Sequence, residues 1–193
     1  DYVKPKAGPF EPRFFSPADF AVIRRLTELI LGEGPGAGNN RPISDGPPNV
    51  VEEVAEWIDL RVFSSAGTRA AATALDQSHR AVMVAYHGAP TVRDLETFDA
   101  QTVCRDGLAW LQDESRSRHK SEFLSLGDRD QLEILTLISR EGTNKDAQTS
   151  GARFFELIKA EVIRGFYTSQ AGLKELNFQG NRFYARSPGC NRT

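Results

Sequence analysis

The sequence predicts an all-α fold: an irregular bundle of about six helices, with an extended arm before it and a tail after it. Three observations carry that expectation. Apolar residues recur at spacings of three and four in stretches such as FFSPADFAVIRRLTELI and FFELIKAEVI. Helix-start signals stand in front of such runs. No segment alternates apolar and polar residues long enough to claim a strand, and no repeat period suggests a solenoid.

The elements follow in order. DYVKPKAGPFEPRF, residues 1–14, is proline-spaced and aperiodic, so it reads as an extended arm. The helical domain occupies 15–176 and the tail 177–193. Helix one opens with Ser16 as N-cap, Pro17 at the first helical position and Asp19 at the third, where a carboxylate suits the positive helix end. Phe15 and Phe20 fall at the two staple positions. Residues 32–49, rich in Gly, Pro and Asn, stop that helix. Asn49 with Glu52 caps the second, whose Val50, Val54, Trp57, Ile58 and Val62 share a face.

A third helix is expected from Thr68 to Tyr86, with Leu75, Val82 and Met83 as its apolar side, broken at Gly88 and Pro90. A fourth spans 91–118, with Leu95, Phe98, Cys104, Leu108 and Leu111 inward; Gly107 weakens it but permits a close approach. The fifth runs from Ser125 or Asp128 to Ser139. The sixth, 150–166, carries Phe154, Phe155, Leu157, Ile158, Val162 and Ile163, with Gly165 to end it.

Composition excludes several classes. With 193 residues and a formal charge of -2, Lys and Arg interspersed with Asp and Glu, the chain has no basic run for nucleic acid. No apolar stretch approaches the ~20 residues of a membrane span. Gly32, Gly34, Gly36 and Ala37 spell GxGxxA, but they follow a helix and lack a βαβ setting, so dinucleotide binding is not expected. A long loop of this kind serves as a binding or partner-covering segment, or is mobile.

Catalysis has no visible home. His79, His87 and His119 lack HxxxH or HExxH partners, no GxSxG occurs, and neither Cys104 nor Cys190 belongs to a CxxC pair. The two cysteines either form one bridge or are unrelated thiols. The paired acids Glu52-Glu53, Asp94-Glu96 and Asp128-Asp130 sit near helix starts, where the dipole accounts for them. No catalytic, cofactor-binding or metal residues are assigned.

The last fifty residues are more informative. Paired Phe154-Phe155, then Gly165-Phe166-Tyr167-Thr168-Ser169, then Gly180-Asn181 and Gly189-Cys190 follow one another in a fixed order. Ser169 is placed to cap the short turn AGLKEL, and Asn177 stands where a left-handed turn residue is needed. Phe166, Tyr167, Leu173, Leu176, Phe178, Phe183 and Tyr184 make a series too dense for so short a segment to bury on itself.

This succession resembles the C-terminal signature of the gluconate 2-dehydrogenase subunit 3 family. FFSPADFAVIRRLTELI and VVEEVAEWIDLRV likewise resemble its two N-terminal helices. The chain differs at Gln170, where the family usually has proline, and at Asn177-Phe178, usually Gly-Tyr.

The resemblance implies a non-catalytic small subunit of an exported, FAD-dependent sugar, sugar-acid or glycoside dehydrogenase of the glucose-methanol-choline type. It implies that FAD belongs to the catalytic partner, that a cytochrome c subunit can join, and that the complex is periplasmic. It further implies export by a twin-arginine signal preceding Asp1, with the small subunit helping its partner mature and cross. Phe166, Tyr167, Leu173, Phe178, Asn181, Phe183 and Tyr184 are then the expected partner-binding residues. Cys104 or Cys190 is expected to be oxidised, to each other or to the partner. The alternative is an autonomous helical enzyme or sensor whose site folding assembles from the scattered histidines and carboxylates.

Overall fold

The computed structural model describes residues 10–32, 49–141 and 149–178. Among them are eight α-helices and a 3-10 turn, with no strand: α1 (Pro17–Leu31), α2 (Val50–Thr73), α3 (Gln77–His87), α4 (Ala89–Thr97), α5 (Ala100–His119), the turn Phe123–Ser125, α6 (Asp128–Glu141), α7 (Ser150–Thr168) and α8 (Gln170–Glu175). The all-α bundle is as the sequence predicts. Residues 1–9 of the arm, the loop 33–48 and the tail from 179 lie outside the described residues.

Short polar side chains set most of the starts. Ser16 accepts a hydrogen bond from the Asp19 amide at 3.1 Å and donates to the Asp19 carboxylate at 2.7 Å. Asn49, Asp76, Asp99 and Thr149 cap α2, α3, α5 and α7 by accepting from Val51, His79, Thr102 and Ala152. Gly32 ends α1 in the left-handed region, φ 76°, returning its N–H to Glu28.

α7 is the axis of the bundle, touching α1, α2, α5, α6 and α8. Its inward positions, Phe154, Ile158, Glu161, Val162 and Gly165, follow the helical period. Around them pack Ile23 and Leu26 of α1, Val54, Ile58 and Val62 of α2, Leu108 and Leu111 of α5, and Ile134 and Ile138 of α6, all in one cluster. α5 and α7 approach through reciprocal glycines. A Cβ on Gly107 would lie 2.1 Å from Phe154 Cβ, and one on Gly151 would lie 2.4 Å from the Trp110 ring. The close approach expected of Gly107 is therefore real.

Cys104 is a fully buried free thiol in that cluster. Burial, with the nearby Glu161 charge adding to it, pushes its pKa up to about 12. A protonated, enclosed thiol is a weak nucleophile for disulfide exchange. Cys190 lies outside the described residues.

The start of the chain is held by a buried acid. Asp59 of α2 accepts hydrogen bonds from the backbone N–H groups of Arg13, Phe14 and Phe15 at 2.7, 3.0 and 3.0 Å. Phe15 is thereby lodged in the core, while the Phe10 ring rests 5.6 Å from that of Phe20.

Several boundaries differ from the sequence expectation. α2 runs on to Thr73, because alanines 70–72 favour helix and Ser64, Ser65 and Thr68 turn their hydroxyls back onto the carbonyls of Arg61, Val62 and Ser64 instead of capping a new helix. The expected fourth helix is two, split at Phe98 where Asp99 turns and caps α5. Arg69 bonds Asp99 at 3.0 Å and holds its carboxyl down at about 2. Phe98 and Val82, expected inward, are exposed: α3 packs chiefly on α4 and buries no residue completely, and Phe98 stands at the corner between α4 and α5. Gly165 does not end α7, which continues to Thr168 and is capped at Ser169.

Candidate partner interface

The end of the bundle is built by α7, α8 and the turn after them. Ser169 links the two helices: its hydroxyl donates to the Phe166 carbonyl at 3.0 Å and accepts from the Gly172 amide at 2.9 Å. Gly172 is required there, because a Cβ would sit 2.0 Å from the Phe166 carbonyl oxygen. α8 closes in a Schellman motif. Phe178 N–H bonds the Leu173 carbonyl at 2.9 Å, Asn177 N–H bonds that of Lys174 at 3.0 Å, and Asn177 takes φ 51°. Asparagine thus supplies the left-handed residue that the sequence places at this turn.

Beneath this end lies a polar anchor. Glu161, buried on α7, accepts from Trp57 Nε1 at 3.2 Å and Arg164 Nη1 at 2.6 Å, and pairs with Arg61 Nε at 3.5 Å. The Arg61 guanidinium also lies 5.7 Å above the Trp57 ring. Trp57 leans on Gly165, where a Cβ would be 3.0 Å from its ring. These contacts lock the last turns of α7 to α2, so side chains projecting from them have a firm base.

What projects is apolar. Tyr167 is 58% exposed and Ile163, one turn earlier, 47%. Leu176 and Phe178, at the end of α8, are 47% and 56% exposed. Phe166 meets Tyr167 edge-on at 5.5 Å and is half-buried against the core, as Leu173 is half-buried on α8. Of the residues expected to bind a partner, Tyr167 and Phe178 thus present themselves outward, whereas Phe166 and Leu173 support them. Asn181, Phe183 and Tyr184 lie outside the described residues.

Ile163, expected among the apolar residues of this helix, lies off the inward stripe of Phe154, Ile158, Glu161, Val162 and Gly165 and faces out. A second exposed apolar group consists of Leu60 and Phe63 on α2, Val82 and Tyr86 on α3, and Phe98 at the α4–α5 corner. Val82 and Tyr86 stand four apart on α3, which buries no residue completely, so both face outward. The histidines have separate surroundings: His79 pairs with its own cap residue Asp76 at 2.7 Å, His87 lies edge-on to Tyr86 at 4.7 Å, and His119 closes α5. No helix among the described residues is long and apolar enough to cross a membrane.

No curated protein and no solved structure matches the chain. A family model does: that of gluconate 2-dehydrogenase subunit 3, over residues 17–189. The match begins with α1 and extends past the Schellman turn, so it takes in the whole bundle and the segment first singled out in the sequence. On that evidence the chain belongs to the gluconate 2-dehydrogenase subunit 3 family.

Proposed function

We propose that this chain is the non-catalytic small subunit of an FAD-dependent, glucose-methanol-choline-type dehydrogenase that oxidises a sugar, sugar acid or glycoside. It docks onto the catalytic subunit through the apolar end formed by α7 and α8, assists that subunit's maturation and twin-arginine export, and stays bound in the periplasm. FAD resides in the partner, and a cytochrome c subunit can accept the electrons. The observation that carries this reading is the outward pair Tyr167 and Phe178 on a locked helix end, within a chain of this family. Large aromatic side chains held rigidly at a surface lose little freedom on binding and desolvate much area.

Co-expression of the dehydrogenase with and without this chain tests it. Active, exported flavoenzyme should accumulate only when the chain is present and should copurify with it. Equal yield and export in its absence overturn the proposal.

A further inference from the structure

The end of α5 and the first turns of α6 bring a histidine of one helix to two acids of the next. His119 is the last residue of α5; Asp130 and Glu133 stand one turn apart on α6. One ligand atom from each lies within 4.8 Å of the other two. The imidazole makes no hydrogen bond through either nitrogen among the described residues. Nδ1 is 3.8 Å from the Asp130 carboxylate, beyond hydrogen-bond reach, and Nε2 is buried without a partner. Neither carboxylate forms an ion pair with an arginine or lysine among the described residues. The nearby Arg25 is committed instead to Glu28, Asp128 and Gln131.

We propose that His119, Asp130 and Glu133 bind a divalent transition-metal ion, zinc foremost, which staples α5 to α6. One imidazole and two carboxylates form a mixed nitrogen-oxygen set that zinc accepts, and the two anions balance its charge. Metal–ligand bonds of about 2.1 Å put tetrahedral ligands about 3.4 Å apart. The cluster closes to that spacing by roughly 1.4 Å at most, within reach of the exposed Glu133 side chain. Water completes the coordination. The ion replaces a long His–Asp gap by two bonds to the same centre, across the connection 120–127.

Zinc chloride titrated into the chelator-stripped full chain tests the site by calorimetry and by thermal unfolding. One zinc should bind per chain, and free zinc at about 100 times Kd should raise the unfolding midpoint by about 5–10 °C. His119→Gln and Glu133→Gln should each weaken binding at least about tenfold. His79→Gln, at the other paired histidine, should leave it unchanged. Cobalt(II) should give the visible absorption of a tetrahedral site, lost in His119→Gln. Glu133 is exposed, so Glu133→Gln remains a fair test even if the histidine variant folds poorly. Absence of saturable zinc binding below the millimolar range, or parental affinity in Glu133→Gln, overturns the site.

Discussion

Three successive backbone N–H groups converging on one carboxylate place Asp59 among the residues on which most depends. In the sequence it is an acid within a helix, WIDLRV, and such acids ordinarily face water. Only the arrival of residues 13–15 from the arm turns it into the centre of a buried site, so nothing local announced it. Glu161 is a parallel case, an acid in an apolar run that proves to be the hub of Trp57, Arg61 and Arg164. Asp59→Asn keeps the shape but halves the accepting oxygens and turns an amide toward three donors. It should cost about 2–4 kcal/mol in urea unfolding, because buried donors are left unmatched. Amide exchange at Arg13, Phe14 and Phe15 should accelerate well beyond that of the core. An unchanged urea midpoint with those amides still protected would show that the arm is held by other contacts.

Among the elements, those with both a cap and a one-sided apolar stripe were legible. Ser16-Pro17-Asp19 located α1 to the residue, and the α7 stripe located its inward face, since each signal acts within one turn of its own chain. The split at Phe98 was not legible from periodicity, which runs on through it; Asp99 caps α5 through the Thr102 amide and is held besides by Arg69 of α2, a contact thirty residues away in sequence. The glycines show the same division between local propensity and packing. Gly67 on α2 has open space around it, so Gly67→Ala should gain about 0.5–1 kcal/mol from helix propensity alone. Gly107→Ala makes the identical chemical change but drives a methyl into Phe154, forcing α5 from α7. A loss of about 3 kcal/mol or more is expected, with a lower midpoint in thermal or urea unfolding. A gain at both positions would mean that the two helices are not in close contact in solution.

For the molecule as a whole, α3 and α4 stand off from the core on the far half of α2, while α7, α8 and residues 13–15 complete the compact part. Apolar side chains are exposed in both regions, and their bases differ. Tyr167 and Phe178 rise from helices fixed by Glu161, Ser169 and the Schellman turn, whereas Tyr86, 84% exposed, stands on a helix that buries no residue completely. A surface meant to hold a large partner needs the first kind of support, because ordering a loose element on binding subtracts from affinity. The family signature made this end legible as important, but the sequence could not divide its aromatic series into supports and contacts; that depended on how far α8 folds back onto α2. The double variant Tyr167→Ala, Phe178→Ala should therefore unfold within about 0.5 kcal/mol of the parent chain, as exposed substitutions do. The same variant should weaken capture of the co-expressed flavoprotein at least about tenfold. Tyr86→Ala should leave capture unchanged. Parental capture by the double variant, or an equal loss with Tyr86→Ala, would move the interface away from the α7–α8 end.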